Sequence, residues 1–209
     1  MKVIVFGATG SVGKLAVAQM LDAGHSVTAF ARSPHALELN HADLSRIAGD
    51  ATDPKSVAKA VKDHDAVVIA IGSGMSRTSK IRSEGTLTII RAMQDAGVRR
   101  LICQSTLGAH ESWSNLNFFW KRIMFGLLLR PVFLDHELQE SLVRASGLDW
   151  TIVRPGAFTD GPATGGFREG FSPAVQDLSL KIARADVAAF LKRQLTEVRY
   201  LNSAVSISN

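Results

Sequence analysis

Short apolar runs alternate along this chain with stretches of helical periodicity, the pattern of a parallel sheet whose strands are joined by crossover helices. Val3-Ile4-Val5-Phe6 reads as a buried strand. After it Val12, Leu15, Ala16 and Met20 recur at helical spacing, and Gly24 stands where a helix C-terminal glycine belongs. Ser26 to Ala31 predicts a second strand, and a short third one is expected near Ser45–Ala48, ending at Gly49-Asp50. Asp53-Pro54 offers a capping carboxylate and a first-turn proline for the next helix. Asp65 to Ile71 is the fourth strand, closed by Gly72-Ser73-Gly74. Ser83 to Ala96 reads as a helix with Leu87, Ile90 and Met93 along one side, closed by Gly97, and Arg100 to Gln104 is the fifth strand.

Two more helices are expected, an apolar one from Asn115 to about Leu129 and a more polar one from Asp135 to Ala145, separated by Pro131. Ser146-Gly147 stops the second, and Trp150-Thr151-Ile152-Val153 is the sixth strand. From Arg154 to Pro173 the chain is rich in Gly and Pro and reads as one long loop, a feature that often carries function in compact domains. A last helix (Ala185 to Gln194) and a last strand (Ser203 to Ile207) follow. The prediction is one α/β domain over residues 1–209, a doubly wound parallel sheet in three αβα layers.

Composition narrows this further. With 209 residues, 46% of them hydrophobic, the chain fills one core but not a cofactor domain and a separate substrate domain. Cys103 is the single cysteine and the N-terminal apolar run is too short for a signal peptide, so a reducing cytoplasm is expected. Leu116 to Leu134 is the most apolar stretch of its length, but Lys121, Arg122 and Arg130 interrupt it. Each would cost about 2.5–3.5 kcal/mol at a bilayer centre, which argues against an integral membrane segment. The net charge is +5, and residues 77–130 hold nine Lys/Arg against Glu84, Asp95 and Glu111, leaving fifteen against sixteen elsewhere. That basic segment suits an anionic ligand or an acidic partner; no nucleic acid is expected, because no recognition motif accompanies the charge.

The strongest chemical signal is Gly7-Ala8-Thr9-Gly10-Ser11-Val12-Gly13, set between a strand and a helix. In such a run the first glycine permits the tight turn and the second lets backbone approach a pyrophosphate. The third lets helix pack on strand, while helix-start N–H groups face the anion. The run reads as the dinucleotide-binding turn of a Rossmann-type sheet, the alternative being a glycine-rich turn that binds nothing. At the end of the second strand, where an acid would accept from the ribose 2′-OH of NAD, stand Arg32 and Ser33, with no acid before Glu38. A planar cation beside a hydroxyl fits a 2′-phosphate and predicts NADP(H), the alternative being a surface arginine that tolerates either cofactor.

On these motifs the chain resembles an atypical short-chain dehydrogenase/reductase of the NmrA-like NAD(P)-binding family, and within it the flavin reductase/biliverdin reductase B group. The likeness also rests on Gly49-Asp50, Ser83-Glu84-Gly85, Ala96-Gly97-Val98, Asp135-His136, Ser146-Gly147-Leu148, Arg154-Pro155-Gly156 and the stretch from Asp160 to Gly165. The resemblance implies that Asp50 and Ala51 lie by the adenine and that Ala70, Ile71 and Gly72 line the adenosine and ribose. It implies that Gln104, Ser105 and Thr106 sit beside the nicotinamide, with Pro155, Gly156 and Ala157 closing over it. Independently, ligands of open α/β sheets bind beyond the carboxyl ends of the strands, which selects the same loops.

The chain also departs from its relatives. Many short-chain dehydrogenases use a Tyr and a Lys four residues later to protonate a carbonyl. Here Lys121 is preceded at that spacing by Asn117, and the only tyrosine is Tyr200. The histidine often found after the sixth-strand proline in the flavin/biliverdin group is Gly156 here. Chemistry that survives is hydride transfer to a planar conjugated acceptor (flavin, biliverdin-like tetrapyrrole or quinone) whose proton comes from water. Ser105 and Thr106 are the catalytic candidates, as positioning groups before proton donors, with strand-end capping as the plainer reading. His110 reads as a solvated loop residue, His136 as a helix-start residue beside Asp135, and Cys103 as an inert core thiol. No metal-ligand spacing is present, so no metal is expected. The acceptor site is expected in loops 105–134 and 155–173. The segment Leu116 to Leu134 reads first as a lid or pocket wall, with core packing, a dimer face and a membrane-surface helix as alternatives. The function expected is an NADPH-dependent reductase, monomeric or homodimeric. The rivals are a catalytically silent NADP(H) redox sensor and a reductase or isomerase of a specialised metabolite.

Overall fold

The structure is a computed structural model that describes residues 1–74, 76 and 78–209, so Arg77 of the basic segment lies outside the described residues. The strands β1 (Lys2–Phe6), β2 (Ser26–Ala31), β3 (Leu44–Ala48), β4 (Ala66–Ile69), β5 (Arg100–Gln104), β6 (Asp149–Pro155), β8 (Arg168–Glu169) and β10 (Ser203–Ser208) form one eight-stranded sheet. Its order is β3-β2-β1-β4-β5-β6-β10-β8, parallel except for the β10–β8 pair. The chain winds outward from β1 to β3, then returns to lay β4 on the other side of β1, with Val5 between Ala29 and Val68. That reversal opens a crevice at the carboxyl ends of β1 and β4.

Period-two alternation decides which helix each strand residue meets. Val3 and Val5 face the core shared with α1 (Gly13–Asp22) and α5 (Arg184–Arg193), while Ile4 and Phe6 face the core shared with α2 (Pro54–Val61), α3 (Ile81–Ala96) and α4 (Arg130–Arg144). The result is the α/β, doubly wound, three-layer sheet of Rossmann type that the pattern predicts. Local signals worked where they were complete. Asp53 accepts from the N–H groups of Lys55 (3.3 Å) and Ser56 (3.1 Å) at the start of α2, and Gly97 closes α3 with φ +71°.

Four expectations need correction. The fourth strand stops at Ile69, so Ala70 to Gly72 leave the ladder. The segment 115–129 is not α-helical: a 3-10 helix (His110–Asn115) leads into a π-helix (Phe119–Leu128), and the Leu129 N–H reaches back five residues to the Met124 carbonyl at 2.6 Å. A Cβ at Gly126 would stand 2.8 Å from the Lys121 carbonyl oxygen, so glycine lets that turn widen. Pro131 does not separate the two helices but sits in the first turn of α4, where its missing N–H costs nothing, and α4 therefore begins at Arg130 rather than Asp135. Finally, 154–173 is not one loop. Arg154 and Pro155 extend β6, β7 (Ala157–Thr159) pairs in parallel with β9 (Lys181–Ala183) as a separate two-stranded sheet, and β8 joins β10. Strands of two or three residues carry no alternation to read.

Candidate functional site

Two cavities of about 590 and 400 Å³ meet at Gly10, Ser11, Ile71, Gly72 and Arg82, and together run along the carboxyl ends of β2, β1, β4, β5 and β6. The first is built largely of backbone. Gly7 has φ +83°, and a Cβ there would lie 2.4 Å from the Ala70 carbonyl oxygen, so the turn touches the end of β4. Its N–H donates to the Phe30 carbonyl at 3.2 Å, and the Gly10 N–H folds back on the Gly7 carbonyl at 2.9 Å. A Cβ on Gly13 would meet the Gly7 carbonyl oxygen at 2.1 Å, so Gly13 brings α1 against the turn and lines no cavity. The α1 N-terminus has no side-chain cap and no acid in its first turn, which leaves its dipole for a ligand anion.

Gly7, Thr9, Arg32, Asp50 and Ala51 line the first cavity, and Val12 and Ala70 the second. Two hydrogen bonds from Thr52, N–H at 2.9 Å and Oγ1 at 2.7 Å, hold the Asp50 carboxyl below the usual range. Ser33 is exposed and lines neither cavity; the backbone turns there into a short 3-10 helix (Pro34–Ala36).

The second cavity is built of side chains. Gln104, Ser105 and Thr106 lie at the end of β5 and Pro155, Gly156 and Ala157 at the end of β6, held in step by Ser105 N–H to Val153 O (2.7 Å) and Leu107 N–H to Pro155 O (2.9 Å). Trp120 and Phe125 from the π-helix close one wall, 5.4 Å apart between ring centroids. Residues five apart lie about 140° apart around an α-helix, so the wider π winding is what places both rings on one face. Phe158, Leu180 and Arg184 also line it, brought over by the β7–β9 pairing, with Leu180 packed in one cluster with Phe125; residues 159–173 of the expected loop do not line the cavity. A Cβ at Gly156 would stand 2.8 Å from the Leu180 carbonyl, which explains why no side chain occupies that position.

Five buried polar atoms of residues on this cavity have no partner among the described residues: Gln104 Oε1, Ser105 Oγ, His136 Nδ1, Arg82 Nε and Arg184 Nε. Buried polar atoms are ordinarily paired, so a cluster of orphans around one space is the mark of a ligand-binding site. With the glycine turn and the uncapped α1, this donor set fits a dinucleotide laid across both cavities with a second molecule beneath the aromatic wall.

His136 is the residue that sequence reasoning misplaced. It sits in the second turn of α4, buried, four residues after Val132, and both line the cavity. Burial and then the Arg82 guanidinium push its pKa down to about 3, so the imidazole is neutral. The Asn117–Lys121 pair lies elsewhere: Asn117 is exposed and Lys121 Nζ donates to Ser114 O at 3.2 Å, with neither on the cavity. The signal for His136 was the spacing Leu129, Val132, His136, hidden by reading Pro131 as a break. Asp135, beside it, is buried and accepts from Ser83 N–H (3.1 Å) and Ser83 Oγ (2.5 Å) at the start of α3.

Behind the cavity lies a buried charge cluster. Arg154 of β6 and Glu140 of α4 are 1% and 0% exposed, with Arg154 Nε donating to Glu140 Oε1 at 2.9 Å, and Arg154 also pairs with Glu111 at 3.0 Å. Partial burial raises the Glu111 pKa, but hydrogen bonds from Arg154 and Arg144 override it and bring it down to about 2. His110 is tied by Nε2 to the Glu137 carbonyl at 3.1 Å. Tyr200 hydrogen-bonds Glu169, away from both cavities, and burial pushes the Cys103 thiol well above its usual range. Among the described residues no group of three or more His, Cys, Asp or Glu is placed to hold a metal.

Among its described residues, the basic segment brings Arg82 to the site and leaves others elsewhere. Arg99 pairs with Asp149 at 2.9 Å, and Arg100 donates to the carbonyls of Asp149 and Gln194 at the start of β5. That is about 13 Å along the strand from Gln104. The cations on the second cavity are Arg82 and Arg184, and Arg184 lies outside the segment.

Comparison with known proteins agrees with this geometry. Residues 7–198 match the family described as NAD(P)H-binding. The chain is 31% identical over 221 residues to the "uncharacterized sugar epimerase YhfK" of Bacillus subtilis, covering 100% of this chain and 94% of that protein. ChuY, an anaerobilin reductase of Escherichia coli O157:H7, superposes with a TM-score of 0.78 at 25% identity, covering 100% of this chain and 97% of that one. A short-chain dehydrogenase/reductase of Veillonella parvula in complex with NADP shares the fold, with a TM-score of 0.84 at 17% identity, covering 100% and 94%.

Proposed function

The chain belongs to the NAD(P)H-binding family, and from that premise we propose that it is an NADPH-dependent oxidoreductase that reduces a planar conjugated acceptor. The observation that carries this reading is the second cavity: it gathers two aromatic rings and five polar atoms without partners among the described residues, meets the glycine-turn cavity and has no tyrosine in its lining. A bound nicotinamide supplies the hydride. The chain's part is to bind, orient and exclude water. Gly7, Thr9, Gly10, Ser11 and Val12 hold the pyrophosphate, with Gly13 letting α1 pack close enough to present them; Ala70, Ile71 and Gly72 hold the ribose, and Asp50 and Ala51 the adenine. Arg32, on the cavity wall, selects the 2′-phosphate of NADPH, with Ser33 next to it in the chain. Gln104, Ser105 and Thr106 position the nicotinamide and acceptor beneath Pro155, Gly156 and Ala157. His136, neutral near pH 7, offers a hydrogen bond rather than a proton, so the acceptor must be one that is protonated from water.

Flavins, linear tetrapyrroles and quinones satisfy that requirement, and the likeness to an anaerobilin reductase supports the tetrapyrrole class. The test is rapid mixing of the NADPH-loaded protein with FMN, FAD, biliverdin and a soluble quinone in turn. Oxidation of NADPH by at least one of them, faster than without protein, is expected. Tight NADPH binding with no oxidation by any would overturn the proposal in favour of a redox sensor.

A further inference from the structure

The π-helix has two faces. Trp120 and Phe125 line the cavity, while Leu127 and, just before the helix, Phe118 stand 73% and 74% exposed, and Phe119, Ile123 and Leu128 of the helix and Leu134 of α4 are exposed as well. Scattered exposed apolar residues need no explanation, but this many within one short segment mark an interaction surface. Its charge is one-sided. Between Glu111 and Asp135 the chain holds Lys121, Arg122 and Arg130 and no acid, and Asp135 is buried against α3. Arg122 and Arg130 are exposed among the apolar side chains.

We propose that this outer face docks on an anionic lipid surface. Large apolar side chains interleaved with cations suit the boundary of a bilayer, where acyl chains receive the Phe and Leu side chains and lipid phosphates the guanidinium groups. Against a second copy of this chain the same stretch would set Lys121, Arg122 and Arg130 against their counterparts, with no acid between residues 112 and 134 to offset them. Among the described residues no helix is long and apolar enough to cross a membrane, so the contact lies in the interface plane. The inference rests on the surface alone and not on the reductase reading.

The test is flotation of the full chain with vesicles of phosphatidylcholine alone and of equal parts phosphatidylcholine and phosphatidylglycerol. Binding to the anionic vesicles, weakened by salt and absent from the neutral ones, is expected. The double variant Phe118→Asp, Leu127→Asp should bind at least about tenfold more weakly, while its NADPH affinity, measured alongside, stays unchanged and shows that it is folded. No binding to the anionic vesicles, equal binding to both kinds, or equal binding by the variant would overturn the proposal. So would a dimer in solution that Leu127→Asp dissolves without any vesicle binding, which would assign the face to a second copy.

Discussion

The two halves of the groove are made in opposite ways. The half around the glycine turn is shaped by backbone: Gly7 and Gly13 sit where any Cβ would meet a carbonyl oxygen, and the turn is held by main-chain hydrogen bonds to Phe30 and within itself. The half under the π-helix is shaped by side chains, with an aromatic wall, orphaned polar atoms and a buried Arg154–Glu140 pair behind it. A site made of backbone tolerates few substitutions and can hold only the ligand its geometry matches. A site made of side chains can be rebuilt residue by residue while the sheet stays the same.

The largest effect that would test this contrast is on the buried pair. Removing Glu140 leaves the buried Arg154 with the half-exposed Glu111 alone, so Glu140→Ala should cost about 3 kcal/mol of folding stability in urea unfolding, the low end for a broken buried pair. An unchanged midpoint would mean the second half does not depend on its charge cluster. Next, Gly7→Ala combines a left-handed φ with a close approach to Ala70, and overpacking of this kind costs about 1–3 kcal/mol. NADPH titration should show weaker binding by at least the corresponding factor, roughly tenfold; full affinity would break the backbone account of the first half.

Arg32 is where side-chain chemistry enters that first half. If it grips the 2′-phosphate by charge-assisted hydrogen bonds of about 1.5–3 kcal/mol, Arg32→Ala should lower NADPH affinity roughly 10- to 100-fold and leave NADH affinity alone. An unchanged ratio would leave cofactor choice unexplained by this residue. The smallest effect concerns His136, whose pKa in the folded protein, about 3, lies below the ordinary value of 6.5. Between those values the unfolded chain binds the proton and the folded one does not, so stability from this group is intact above pH 6.5 and falls as pH drops. From pH 7 to pH 6 the loss is on the order of 1 kcal/mol or less, and His136→Gln should remove it; identical pH profiles would place the imidazole in a more solvated setting.

How legible each half was in the sequence follows from the same contrast. β1, the glycine turn, α1 and β2 are contiguous and carry their signals locally, and their predicted spans fall within two residues of the observed ones. The α2 cap at Asp53 and the closing glycine of α3 were readable for the same reason. The second half depends on pairings that no local window contains. β7 and β9 are three-residue strands more than twenty positions apart, and only their meeting brings Leu180 and Arg184 to the cavity. The 119–128 stretch has an amphipathic pattern that reads as α-helix; the five-residue spacing of Trp120 and Phe125, together with Gly126, was the sign of a wider winding. Pro131 was read as an end when it was a beginning, which moved His136 from the wall of the cavity to the edge of a helix.

The π winding gives the aromatic wall a property that composition does not record, namely phase. One residue corresponds to about 100° of rotation in an α-helix, so removing a single codon near Gly126 and letting the segment rewind would swing Trp120 and Phe125 out of register. A rotation of that size takes side chains off the cavity wall without any substitution. Relatives that share this sheet can therefore diverge in what they accept through insertions and deletions in this one segment, a mutational route that substitution-counting would overlook.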